Sequence, residues 1–366
     1  MLRCHLFRSP NCSAGRLVVK LIIQIPCFNE EKTLPQTYAD LPKEIDGIDQ
    51  IEVMVIDDGS TDKTVRVARE LGVDHIIRHG GNRGLAATFS TGIRACLQRD
   101  ADIIVNTDGD NQYCGPDITR LVIPLLRGEA TIVLGDRQTS KVAHFSIPKK
   151  LLQRVGSMVV RKLSGTNLND AVSGFRAFSR EAALQLNVIT TFSYTVETLI
   201  QAGAKRLPIT SVPIRTNPKT RDSRLFKSVG QFVSRQVATM FRSYMMYHPA
   251  RVFLAVAVGL ACCSMVPLGF LFGGFWPNAA ASVAGYIAFG AFLVASLTAG
   301  LLALTADLQR NNRRLIEMVL ESVRQIECGD SPAYPLVPSS SSVFSRRTPG
   351  RRQSVHDPGS GVTGAN

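Results

Sequence analysis

Between Val252 and Ala306 the chain carries not one charged side chain. A run that long exceeds a single helix and suits two membrane spans, near residues 252–275 and 280–304, joined by FWPNAA. A buried helical hairpin in a soluble core is the competing reading, and the flanking charge argues against it. Residues 215–251 hold eight Lys and Arg side chains against the single acid Asp222, Arg310, Arg313 and Arg314 follow the second span, and the hairpin tip is uncharged. Basic residues at both outer ends predict a multi-pass protein of the cell (inner) membrane with both termini and the domain that precedes the spans in the cytoplasm.

The remaining composition agrees. Only 19% of the 366 residues are charged, and mean hydropathy is +0.08. A net charge of +13 and a pI near 9.6 imply an anionic partner. Because the basic residues gather beside the spans, a membrane surface or a phosphorylated substrate fits better than nucleic acid. None of the eight cysteines forms a CxxC pair, which argues against a zinc site or disulfide framework and fits a reducing compartment.

Residues 1–16 read as a basic N-terminal extension, and LVVKLIIQIP as a first strand and not a signal peptide. From 17 to 218 strand-like and helix-like stretches alternate, the βαβ rhythm of an α/β domain with a mostly parallel sheet. Residues 219–251 form a basic loop and amphipathic juxtamembrane helices suited to an anionic surface, 252–306 the two transmembrane helices, and 307–328 a polar cytoplasmic helix. The Ser-, Pro- and Gly-rich stretch 329–366 is a disordered tail.

In sheets of this kind ligands lie beyond the carboxyl ends of the strands, where PCFNEE, DDGSTD and NTDGDNQY fall. In the last of these, Asp108 and Asp110 can share one face, with Gly109 allowing a sharp turn between them. Two like charges so close need a cation, and Mg²⁺ or Mn²⁺ takes one or two carboxylates while completing its shell with phosphate oxygens and water.

IPCFNEE, VIDDGSTD, NRGLAATFSTGI, NTDGDNQY, LGDR and DAVSGFRAFSREA occur in that order. With them the chain resembles the family 2 glycosyltransferases of GT-A (Rossmann-like) fold over about residues 20–250, most closely the branch of dolichol-phosphate mannose synthases and bacterial polyprenyl-phosphate glycosyltransferases. The resemblance implies that Pro26, Phe28 and Glu30, with Asp57 or Asp58, form the pocket for the nucleotide base and ribose, and that Arg83 contacts the nucleotide sugar. Pro26 and Phe28 also read as loop-shaping residues, and Asp58 as a cap of the following helix. Asp108, Asp110 and Gln112 are implied for the metal and the donor diphosphate.

A polyprenyl phosphate acceptor is already an anion, so transfer to it needs no strong base but does need cationic positioning. The candidates are Arg137 in LGDR, Arg176 in SGFR, and Arg215, Arg221 and Arg224 in RTNPKTRDSRL, each of which also reads as an ordinary surface or lipid-facing charge. Asp170 falls on the acceptor side by resemblance, to orient the acceptor or act as a base, and otherwise caps its loop.

The reaction expected is inverting, metal-dependent transfer from a UDP- or GDP-sugar to polyprenyl phosphate, in cell-wall or glycan biosynthesis, and a homo-oligomer is compatible with the sequence. A processive polysaccharide synthase would carry a Q-x-x-R-W element, but the single tryptophan, Trp276, falls in the hairpin. A membrane-anchored binding protein without activity would not need the intact D-x-D and SGFR elements.

Overall fold

The computed structural model describes residues 18–138, 170, 172–188, 194–218, 237–238, 241–242, 244–273 and 279–329. The N-terminal extension, Arg221, Arg224, most of the basic loop and amphipathic stretch, the hairpin tip and the tail lie outside the described residues.

The catalytic region runs β1 (Lys20–Cys27), α1 (Leu34–Ala39), β2 (Gln50–Asp57), α2 (Thr64–Glu70), β3 (His75–Arg78), α3 (Leu85–Leu97), β4 (Ile103–Asn106), α4 (Ile118–Leu126), β5 (Ile132–Asp136), β6 (Arg176–Ser179), α5 (Arg180–Gln185), α6 (Tyr194–Lys205) and β7 (Ile209–Pro213). In β1 and β2 apolar residues occupy nearly every position because both faces of the sheet are covered. Successive residues enter opposite cores: Ile22, Met54 and Ile104 pack with Phe89 of α3 and Leu199 of α6, whereas Leu21, Val55 and Val105 pack with Ala68 of α2 and Leu121 of α4.

The strand order is β3-β2-β1-β4-β6-β5-β7. Only β6 runs antiparallel to its neighbours, β4 and β5. This is the mostly parallel α/β core expected of a GT-A fold. Its consequence is that the carboxyl ends of the other strands and the start of β6 share one edge, where all the motifs converge. The turn after β2 packs so tightly on the one after β3 that a Cβ at Gly59 (φ +76°) would lie 2.7 Å from the Gly81 backbone.

Two long helices follow, α7 (Pro249–Phe272) and α8 (Ala279–Glu327), about 36 and 73 Å long at 1.5 Å per residue. Both are long and apolar enough to cross a membrane, each containing an 18-residue window of mean hydropathy 2.2. Only 17% and 11% of their most apolar windows are buried, which fits lipid exposure and not the core of a soluble hairpin. The Ser296 hydroxyl donates to the Ala257 carbonyl across the pair (2.8 Å).

The second span and the polar helix, separate elements in the sequence reading, are one unbroken α8, since TADLQRNN contains neither Gly nor Pro to end it. Its last turns rest on the catalytic domain. Arg324 donates to the carbonyls of Leu184 (3.1 Å) and Leu186 (2.7 Å), and Arg180 to that of Cys328 (3.3 Å). Glu317 takes Arg313 (2.8 Å) and Lys205 (3.5 Å).

Candidate functional site

At the end of β4 the chain turns through Asp108, Gly109 and Asp110, both carboxylates half-buried. The glycine does not adopt a left-handed φ, contrary to the expectation of a sharp glycine turn; the left-handed residue is Asn111 (φ 54°). Gly109 is needed for close approach, because a Cβ there would lie 3.1 Å from the Cys27 sulfur and 3.4 Å from Glu30 Cγ. The Asp110 carboxylate accepts from the Gln112 N–H (3.1 Å), fixing the turn, and the Asn217 N–H binds the Gln112 carbonyl (2.9 Å), tying the turn to the segment after β7. Gln112 is half-buried in the same turn.

Gly174, of SGFR, is held from three sides by this loop and its neighbours. Its N–H donates to the Tyr113 hydroxyl (3.1 Å), and its carbonyl accepts from Asn106 Nδ2 (2.9 Å) and the Tyr194 hydroxyl (3.2 Å). Asn106 in turn donates to Tyr194 Oη and accepts from Gln24 Nε2, both at 2.9 Å. A Cβ on Gly174 would meet Tyr194 Oη at 3.0 Å and the Asp108 carboxylate oxygens at 3.3 and 3.4 Å, so Asp108 lies against the bare glycine. The tyrosine rings stack on Phe175 and Phe89. Burial, reinforced by the Asp108 charge, pushes the Tyr113 phenol up to about 12 and that of Tyr194 well above its usual value, so both stay protonated.

On the far side of this junction, Arg137 Nε and Nη2 form a bidentate pair with Asp170 (2.7 and 3.0 Å). Burial alone would raise the Asp170 carboxyl, but Arg137 holds it below its usual 3.8. An ionised, paired carboxylate is a weak base, so this geometry fits orientation and not proton abstraction. A depressed folded-state pKa contributes stability above the unfolded value that is lost as pH falls through the folded one. Asp170→Asn is therefore expected to destabilise the chain by about 3 kcal/mol at pH 7, where it strands a largely buried cation, and the gap to the parent should begin to narrow only below about pH 4 and go on narrowing as pH falls further. Thermal melts in detergent across pH 3–7 check this; a pH-independent gap would exclude the ion pair as its cause.

Arg176 is not where a phosphate could reach it. It is fully buried and donates to the Ser173 carbonyl (2.7 Å), the Thr195 carbonyl (2.8 Å) and the Thr198 hydroxyl (2.7 Å). Burial lowers its pKa to about 10, which still leaves it charged at neutral pH, bracing α6 against β6. Arg215 is exposed at its tip but pairs with buried Asp117 (2.8 Å).

Pro26 and Glu30 are buried at the end of β1, and Phe28 is exposed at the same rim. Asp57 is fully buried, accepts from the Ser60 N–H (3.2 Å) and pairs with Arg78 (3.2 Å), whose side chain is largely exposed. Asp58 does not cap the helix that follows it in sequence, the second of its two sequence readings. Its carboxylate accepts from the N–H groups of Arg83 and Gly84 (2.9 Å each) and binds His79 Nδ1 (2.8 Å), so it braces the turn that leads into α3. The Arg83 side chain is exposed. Sequence reasoning passed over Arg78, Tyr113, Tyr194 and Asn106; the register Asp57↔Arg78 across β2 and β3 is the signal for the first.

Among the described residues no group of three or more His, Cys, Asp and Glu side chains could cage a metal. A hard divalent ion needs no such cage, since one or two carboxylates suffice when diphosphate completes its shell. Asp108 and Asp110 supply that donor type in a negative field: burial first, then Glu30, Asp57, Asp62 and Asp108, push the Cys27 thiol well above its usual value. The residues fit a cation that arrives with its diphosphate.

The family description "Glycosyl transferase family 2" matches residues 22–186. The uncharacterized protein MJ1222 of Methanocaldococcus jannaschii is 33% identical over 204 residues, 54% of this chain and 81% of that protein. The UDP-N-acetylglucosamine–dolichyl-phosphate N-acetylglucosaminyltransferase of Methanococcus voltae is 28% identical, covering 52% of this chain and 83% of its own. The undecaprenyl-phosphate mannosyltransferase of Micrococcus luteus is also 28% identical, over 54% and 83%. With its motifs gathered on one edge of the sheet and a relative of this identity and coverage, the chain belongs to glycosyl transferase family 2.

Proposed function

We propose that this chain is a membrane-anchored, inverting glycosyltransferase that moves a sugar from a nucleoside-diphosphate sugar to a polyprenyl phosphate. The observation that carries this reading is the junction at Gly174, where the acidic turn of β4 abuts the loop bearing Asp170, opposite Arg137. The names of the Methanococcus and Micrococcus relatives, whose acceptors are dolichyl and undecaprenyl phosphate, support the acceptor class.

In this reading Pro26, Phe28, Glu30 and Asp57 line the base and ribose pocket, with Arg78 at its mouth. Asp108, Asp110 and Gln112 would hold Mg²⁺ or Mn²⁺, which when bound neutralises the departing diphosphate as a Lewis acid. Arg137 orients the acceptor phosphate through N–H donors beyond the two given to Asp170, and Asp170 keeps the guanidinium in place. Because the acceptor oxygen is already anionic, no residue has to remove a proton. The basic residues beside α7 and the apolar faces of α7 and α8 keep the site at a membrane surface, on the cytoplasmic side by the distribution of positive charge.

The test is a screen of UDP- and GDP-sugars with polyprenyl phosphate and the purified full chain, with and without Mn²⁺, read by thin-layer chromatography of the lipid product. One donor should give a glycosylated lipid that EDTA abolishes. Lack of transfer together with no Mn²⁺-dependent binding of UDP or GDP would leave only the inactive binding protein.

A further inference from the structure

We infer that the extramembrane part of α8 is a coiled-coil seam that pairs with α8 of a second copy of this chain. Beyond Asp307, where charge returns, the helix has two opposed faces. Glu317 and Arg324 point to the catalytic domain and are engaged there, and Arg313 on the same face pairs with Glu317 and donates to the Tyr247 hydroxyl just before α7. At 100° per residue, Leu308 and Ile326 stand opposite Glu317. This is the reverse of the usual amphipathic helix, whose polar face meets water and whose apolar face meets protein.

The outward face has a regular repeat. Positions 308, 312, 315, 319, 322 and 326 alternate steps of four and three, the spacing of a heptad seam, and are filled by Leu, Asn, Leu, Val, Ser and Ile. Ile316, Met318 and Val323 flank it. The seven apolar side chains are between 43% (Val323) and 75% (Ile326) exposed. Together they carry roughly 800 Å² of accessible surface, the amount one partner of a standard protein interface covers.

The seam fits a second copy better than other occupants. Copies inserted in one membrane share one orientation, so their α8 helices run parallel and each seam position meets its own counterpart. Asn312 falls at an a position, where a lone Asn sets register and strand number in parallel coiled coils at some cost in stability. An apolar stripe covered only by lipid would gain nothing from a polar residue at a seam position. The stripe also continues into the span through Leu301 and Val294, so membrane and extramembrane contacts share one line along the helix.

The test uses the full chain in detergent. Light scattering with size exclusion should give a mass above one chain for the parent, and Leu315→Glu with Val319→Glu should return it to a single chain with UDP or GDP binding intact. Arg314→Ala, off the seam, should leave the mass unchanged. In membranes, Val319→Cys should form a disulfide with its twin under mild oxidation, at least about fivefold above Arg310→Cys on the opposite face, since only seam positions approach within about 7 Å. A single-chain mass for the parent, or an oligomer indifferent to the seam substitutions, overturns the inference, whether lipid or the chain's own residues 330–366 cover the face.

Discussion

Asp110→Asn is expected to reduce sugar transfer about 10³-fold with little change in melting temperature. The substitution removes charge and little else, because asparagine keeps the oxygen that accepts from the Gln112 N–H. The β4 turn therefore survives, while the pair of carboxylates drops from two negative charges to one. What suffers is the affinity for a divalent ion together with diphosphate, so the concentration of Mn²⁺ giving half-maximal activity should rise and excess Mn²⁺ should restore part of the rate. Activity within tenfold of the parent at every Mn²⁺ concentration would remove Asp110 from the metal site.

Gly174→Ala should be nearly as damaging, for a different reason. The new methyl would stand 3.0 Å from Tyr194 Oη and 3.3 Å from an Asp108 oxygen, tighter than side chains normally pack. Either Asp108 moves or the loop carrying Asp170 and Gly174 does, and a shift of about 1 Å between reacting partners costs on the order of 10²-fold in rate. The stability loss should be smaller in proportion, about 1–3 kcal/mol, as for other overpacked sites. Tyr194→Phe supplies the control: it removes the oxygen the methyl would strike, so the double variant should recover part of the lost activity and the two changes should be non-additive. Strictly additive losses would show that Gly174 matters for some reason other than this contact.

How far the sequence disclosed this arrangement depends on how local each signal is. The strands were legible because burial on both faces writes itself as continuous apolar runs such as KLIIQIPC. The convergence of motifs followed from βαβ topology. Arg176 was misread because nothing within a few residues of SGFR reveals that its hydrogen-bond partners come from Thr195 and Thr198, on a helix later in the chain. Asn106 and Tyr194 escaped for the same reason, their bond joining residues 88 positions apart. Asp58 was half legible: a local capping role was weighed, but the N–H groups it accepts from lie after β3, across a strand pairing that no sequence window spans. The continuity of α8 was hidden by a change of composition at Asp307, which marks where charge returns and not where the helix ends.

That continuity ties two locations to one helical phase. Because α8 is a single rod, the rotation that presents Glu317 and Arg324 to the catalytic domain also fixes which side of the span faces α7. Each residue inserted or removed between them would turn one end by about 100° relative to the other and change its height by about 1.5 Å. The number of residues between Asp307 and Arg313 therefore acts as a gauge, setting both the bearing of the motif-bearing sheet edge and its distance from the apolar length of α8.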